Sequence, residues 1–488
     1  MSVAGQPADG RPVVVAERPV PGTPRPYEFP SFERSRLDNG LEVVAVDLPG
    51  RPLVTASLVL RHGAADEPAE IGGATVLAAR ALTEGTARHD AIALVEAAER
   101  LGASLHAEAG WDAFSVGVDV PAERLAPALE LLAEVAAEPT FPVAEVERIR
   151  DERLNDILQA RADPRRRAEE AFVATVYAET APYHRPAAGL PETVEGLDAD
   201  RLRGAWAAGF DPAAMTLVVG GDLTGLDVPG LAARLMGGWR RSDLAVAAGP
   251  VDSASASSGR RIRVLHRPGS VQTEVRIGHV GLARRIPDYH AVSVMSAILG
   301  GLFSSRLMLK LREEKGYTYG AYATFDFRRG AGPFAARAAV NTDATVPAVI
   351  DTLAELDRIR EAPVSEAELR AARDFLIGVF PLRFETPGPV VGAITGLAIH
   401  DLPDDELAGY RARIEAVGAG DVQAAARAHV RPESAAIVLV GDADAFATAL
   451  EAAKLGEITL ERDAPGTEGA SDAGQAPGAG QAPGAGSG

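Results

Sequence analysis

Residues 211–222 read DPAAMTLVVGGD, and residues 431–442 read RPESAAIVLVGD. The two stretches align without a gap at an offset of 220. Each is an apolar run of strand length closed by Gly-Asp, a pattern that suits a strand buried on both faces. PVAEVE from Pro142 aligns on PVSEAE from Pro363 at an offset of 221, and TASLVLRHG from Thr55 on TEVRIGHVG from Thr273 at 218. Any one of these matches is weak. Three in chain order at nearly one offset point to a tandem duplication.

The first half predicts a repeating order of elements. Leu41–Val46 and Leu53–Leu60 alternate like paired strands, with Asn39-Gly40 offering a turn before the first. Gly73–Leu82 and Ala91–Leu101 have helical spacing, and Ala113–Val120 reads as a strand. A helix is expected from Pro121 to Ala137, and another from Val143 to Ala162, ending before Asp163-Pro164. In the second half, Ser365 with Glu368 forms a capping box for the matching helix. Strands with clustered helices define an α+β class: two tandem homologous domains, each an antiparallel sheet with helices packed on it. Residues 1–30 read as a flexible arm, 31–244 as the first domain, 245–260 as a linker of small residues, 261–462 as the second domain, and 463–488 (GQAPGAGQAPGAG) as a disordered tail.

The 488 residues carry no cysteine, which excludes a disulfide framework, a cysteine nucleophile and thiolate zinc sites. A net charge of −19 argues against nucleic acid or an anionic membrane as the partner. Lys310, Lys315 and Lys454 are the only lysines, so the basic residues are overwhelmingly arginine, a mark of genome base composition. No signal peptide or spanning run is evident, which makes the cytoplasm the expected compartment. Phosphate loops, G-x-S-x-G elbows and dinucleotide fingerprints are absent in the required context. Arg165-Arg166-Arg167 is expected to be a solvated helix start.

Six segments in order carry a family resemblance: LDNGLEVVAV at Leu37, VTASLVLRHGAADEP at Val54, ALTEGT at Ala81, PYHRPAAG at Pro182, DPAAMTLVVGGD at Asp211 and SSRLMLKLREEKGYTYG at Ser304. Together they resemble the pitrilysin/insulinase family of zinc metallopeptidases, in its mitochondrial-processing-peptidase-like two-domain branch. That resemblance implies one half of a clamshell.

Family peptidases hold zinc with an H-x-x-E-H helix, two histidines on one helix face and a glutamate that activates water. Aligned on Gly85-Thr86, those positions are Val76, Ala79 and Arg80 here, and the later carboxylate ligand falls at Asn155-Asp156. Valine has no donor atom, alanine is no base, and a guanidinium repels a metal cation. No two of the nine histidines lie three to five residues apart, so no shift of register restores the helical pair. No cofactor is expected in this chain.

The resemblance also implies an arginine and a tyrosine, seven residues apart, that bind the substrate backbone and polarise the scissile carbonyl. LREEKGYTY places Arg312 and Tyr319 at that spacing. A guanidinium and a phenol can both donate to a developing oxyanion. Against this stands alternation: Tyr317, Tyr319, Ala321, Ala323, Phe325 and Phe327 share one strand face, which would put Tyr319 in the core. Gly300-Gly301 either permits a tight turn or contacts peptide. Ser104–Glu108 occupies the place of the family's substrate-pairing edge strand, and as an internal strand it would do nothing of the kind.

The resulting expectation is a non-catalytic, substrate-binding subunit of a heterodimeric zinc metallopeptidase that processes unfolded peptides. A homologous partner would supply zinc, and Arg312 and Tyr319 would complete its site. The rival is a non-enzymatic scaffold or peptide-binding protein of the same fold.

Overall fold

The computed structural model describes Gly22 and residues 25–462; the tail expected from residue 463 and most of the expected arm lie outside the described residues. The first sheet contains β1 (Glu33–Arg36), β2 (Glu42–Asp47), β3 (Leu53–Leu60), β4 (Ser104–Ala109), β5 (Phe114–Pro121) and β6 (Met215–Gly221). The second contains β7 (Arg261–His266), β8 (Gln272–Val280), β9 (Thr318–Phe325), β10 (Pro333–Asn341), β11 (Ala436–Gly441) and β12 (Glu457–Arg462). Their orders are β1-β2-β6-β3-β5-β4 and β12-β7-β11-β8-β10-β9, so five strands repeat and only the outer strand differs. The duplication is therefore real.

Three expectations need correction. The sheets are mixed rather than antiparallel, because β2 runs parallel to β6 and β7 parallel to β11. The strands at Leu41–Val46 and Leu53–Leu60 do not pair with each other; β6, far along the chain, lies between them. The third concerns register. Leu58 faces Leu217, and Ile277 faces Ile437, so Leu58 corresponds to Ile277 at an offset of 219, not 218. A shift of one residue exchanges the two faces of a strand. Thus Ser57, not Leu58, is the counterpart of Arg276.

The motif that revealed the repeat does so because of where it lies. Every residue of β6 and of β11 is buried. One face of each meets its own domain's helices; the other meets a helix lent by the opposite domain. Pro164–Val176 from the first half packs on β11 and β8, placing Phe172 against Val438 and Val440. Pro387–His400 from the second half packs on β6 and β3, placing Val390, Val391 and Ile394 against Val44, Val46 and Val218. Each sheet is thus completed by the other half. Tyr27 and Phe29, within the stretch expected to be an arm, pack against Phe380 and Phe384 of this layer.

The β9–β10 turn fastens the halves together. Arg328 stacks over Trp111 and Tyr183 at 4.9 and 4.6 Å. The Arg329 N–H donates to Asp112 at 2.8 Å, and its Nη2 donates to Asp66 at 2.6 Å. The Tyr177 hydroxyl donates to the Ala331 carbonyl. The linker is laid along the same seam: the Ala178 N–H donates to the Ala254 carbonyl, Tyr177 bridges to Ser255, and Ser253 Oγ accepts from the Ala331 N–H.

One buried histidine makes the second half acid-sensitive. His279 Nδ1–H donates to the Val280 carbonyl and Nε2 accepts from the Arg431 N–H, so the neutral ring is fully used. Burial lowers its pKa from 6.5 to about 4. Between these values the unfolded chain binds the proton and the folded chain does not, so stability falls as pH drops through that window. The loss expected from this group is roughly 3 kcal/mol by pH 4. Urea denaturation at pH 7, 5.5 and 4, with a His279→Gln variant for comparison, should show a steeper acid slope for the parent.

Candidate functional site

The helix Ala74–Ala81 bears the expected ligand positions Val76, Ala79 and Arg80, and its start is firmly held. Gly73 has φ +102°, and a Cβ there would lie 2.8 Å from the Ala188 carbonyl oxygen, so only glycine lets the two loops meet. The Glu67 carboxylate accepts from the Gly73 and Thr75 N–H groups and pairs with Arg185 at 2.9 Å. A carboxylate at a helix N-terminus is favourable, although burial raises the Glu67 pKa despite that support.

The expected ligand positions do not fit zinc. Val76 is half-buried, Ala79 is 0% exposed, and Arg80 points outward to Glu152 at 2.9 Å. Glu152 is shared with Arg148, which also bonds Glu84 and Glu145. Asp156, the expected carboxylate, lies on the Val143–Ala162 helix between Arg153 at 2.7 Å and Arg166 at 2.9 Å. The Arg166 hydrogen bond and charge hold its pKa below the ordinary value. Two guanidiniums thus surround the one carboxylate, and a third stands where a histidine would. Arg166 is therefore engaged at the helix start rather than merely solvated.

If the Ala74–Ala81 helix binds no zinc, stability should not depend on zinc through that helix. Equimolar zinc and excess chelator are each expected to leave the melting temperature unchanged. A real site occupied at a hundredfold above its Kd would instead add about 2.7 kcal/mol. Differential scanning calorimetry of the chelated and zinc-loaded chain decides between the two.

Arg312 and Tyr319 have quite different surroundings. The segment that bears Arg312 begins with buried Arg306, whose Nε donates to Glu368 at 2.7 Å. Burial by itself would raise the Glu368 pKa, but Arg306 and Ser365 outweigh it and hold the carboxyl at about 2. That anchor stays ionised at any ordinary pH. The chain is then wound as a π-helix over Met308–Glu314, a form frequent at functional sites. Arg312 sits 4.6 Å above the Phe303 ring, itself 69% exposed. Its side chain makes no hydrogen bond among the described residues, and Glu313 approaches only to 3.6 Å.

Tyr319 is 91% exposed and is not core. Alternation fails here because β9 and β10 change register between Ala338 and Val340. Two residues, Tyr319 and Gly320, therefore oppose the single Ala339, and the bulge turns Tyr319 out of the apolar face that Ala321 and Ala323 keep. Thr318 Oγ1 holds the distortion by accepting from the Gly320 N–H and donating to the Ala339 carbonyl. The Tyr319 hydroxyl has no partner among the described residues. No hydrogen bond or ion pair joins Tyr319 to Arg312.

The glycines divide. Gly300 is buried, and a Cβ on it would lie 2.2 Å from the Ala323 nitrogen, so it permits close helix–strand contact. Gly301 is exposed. Ser104–Ala109 is the outer strand of the first sheet, with alternating exposed and half-buried residues. The sequence reading leaves out Phe303, on which Arg312 stacks, and Tyr322, 54% exposed on the same strand as Tyr319. Tyr322 could have been found by alternation, since it separates buried Ala321 from buried Ala323.

The fold defines a duplicated chain of two related six-stranded domains, and its Ala74–Ala81 helix carries no H-x-x-E-H. The model described as insulinase (peptidase family M16) matches residues 42–187, and the model described as peptidase M16 inactive domain matches residues 196–376. The chain belongs to the insulinase, or M16, peptidase family. It is 24% identical over 402 residues to an uncharacterized zinc protease of Streptomyces coelicolor, covering 81% of this chain and 87% of that protein. It is 25% identical over 348 residues to a non-peptidase homolog of Helicobacter pylori, covering 69% and 76%. The fold matches that of a peptidase M16 inactive domain from Pseudomonas fluorescens with a TM-score of 0.78 at 24% identity, covering 84% of this chain and 98% of that one. Among the described residues, no helix is long and apolar enough to cross a membrane.

Proposed function

We propose that this chain is the non-catalytic, substrate-binding subunit of a heterodimeric zinc metallopeptidase acting on unfolded peptides. Its partner is a homologous subunit with an intact H-x-x-E-H, and the two chains form the halves of a clamshell. The partner supplies zinc, water and general base. This chain supplies Arg312 and Tyr319, and half of the wall that excludes water. One observation carries the reading: a tyrosine turned outward by a bulge, 91% exposed, in the chain segment that follows an arginine with unused donors. A fully exposed tyrosine with no partner is poorly explained as packing, and tyrosine and arginine are the residue types that dominate contact sites.

The test is cleavage of a quenched peptide library by this chain, by an H-x-x-E-H relative, and by their mixture, each with zinc and with chelator. Chelator-sensitive activity confined to the mixture is expected. Full activity of the relative alone would overturn the shared site and leave a scaffold or peptide-binding role.

A further inference from the structure

Among the described residues, six arginines lie over an aromatic ring. Five of them are also held by a carboxylate. Arg284 stacks on Tyr289 and bonds Glu406 at 2.8 Å; Arg328 stacks on Tyr183 and bonds Asp326 at 2.6 Å. Arg34, Arg185 and Arg203 are paired likewise, at 2.9 Å or closer. Arg312 is the exception. Its guanidinium lies 4.6 Å from the centre of the Phe303 ring, and Glu313 stays 3.6 Å away, beyond hydrogen-bond distance. A carboxylate would fix the side chain too, but it would occupy N–H donors and neutralise the charge. A ring face attracts the cation through its quadrupole and leaves the N–H groups at the rim unused.

The backbones of both residues are pinned. The Ser305 N–H donates to the Leu302 carbonyl at 3.0 Å, closing a turn with Phe303 and Ser304 at its centre. Leu302 before this turn and Ser305 and Arg306 after it are buried, so the Phe303 ring projects from a fixed base. The Arg312 carbonyl accepts from the Gly316 N–H at 3.1 Å, and the carbonyl of buried Leu311 accepts from the Tyr317 N–H at 2.8 Å. A phenylalanine that stays mostly exposed gains little from burial, so packing does not account for it.

We propose that Phe303 is a positioning residue for Arg312: its ring holds the guanidinium in place while leaving the N–H donors free for a peptide carbonyl. The inference rests on the proposed role of Arg312 and adds the device that orients it. A free arginine side chain loses much rotamer freedom on binding, and the stack removes part of that loss before the peptide arrives.

The first test needs only this chain. With isotope-labelled arginine, the Arg312 δ-proton signal, identified by its loss in Arg312→Ala, is expected upfield of the unstacked arginines and should move back in Phe303→Leu. A signal that Phe303→Leu leaves in place overturns the proposal. The second test is cleavage of the quenched peptide library by the complex with an H-x-x-E-H relative. Phe303→Leu keeps an apolar side chain and should lower kcat/KM about fivefold, the scale of one exposed cation–π contact. Phe303→Tyr keeps the ring and should retain parent turnover. Added to Arg312→Ala, Phe303→Leu should bring no further loss, because the two residues act as one unit. Losses that simply add, or equal losses in the leucine and tyrosine variants, make Phe303 an independent structural contact and overturn the inference. Parent turnover in Arg312→Ala overturns the shared site and this inference with it. A large loss in Arg312→Ala beside parent turnover in Phe303→Leu overturns this inference alone.

Discussion

In a complex with an H-x-x-E-H relative, Arg312→Ala is expected to lower peptide turnover about a hundredfold while the complex elutes unchanged on size exclusion. The magnitude is that of removing one oxyanion-type donor. The fold should be spared because it does not lean on this side chain: among the described residues it makes no hydrogen bond, and its stacking on Phe303 is a surface contact. Tyr319→Phe removes a single exposed donor and should cost about tenfold, appearing in kcat rather than KM if the phenol acts only in the transition state. Arg312→Lys should recover little, since an ammonium lacks the fixed fork of donors. Steady-state cleavage by the four complexes measures all of this. Parent-like turnover from Arg312→Ala sinks the shared-site reading and leaves the fold untouched.

Arg276→Met is expected to destabilise the folded chain by about 3 kcal/mol, the magnitude of breaking a buried ion pair. Arg276 is almost wholly buried between Glu169 of an exchanged helix and Glu274 of its own strand. Removing it leaves half-buried Glu274 without a cation, and Glu169 with Arg337 only. The paired substitution Arg276→Met with Glu274→Gln should recover part of the loss, because the uncompensated charge goes with the guanidinium. Urea midpoints of the parent, single and double variants give the comparison. A loss within about 0.5 kcal/mol would place the arginine among ordinary surface pairs.

The sequence carried more of the fold than of the site. It showed the duplication because β6 and β11 are buried on both faces and admit only short apolar runs, so the two copies stay similar there. It showed the absence of a zinc motif because a helical ligand pair is local: two histidines four residues apart either exist or do not. The family followed from segments whose glycines and apolar positions are fixed by close contacts, as Gly189 is by Gly72.

Tertiary structure decided what depends on a neighbour distant in sequence. The outward turn of Tyr319 is set by Ala339 on the adjacent strand, and period-2 alternation along β9 cannot detect a bulge defined by its partner. The true offset of 219 is set by which residue of β3 faces Leu217, and a gapless match of short apolar strands is blind to a slip of one. Likewise, Ser57 and Gly392 are unremarkable in sequence. They enclose a cavity only because a helix from the second half crosses the first sheet, and no periodicity within either half records that exchange.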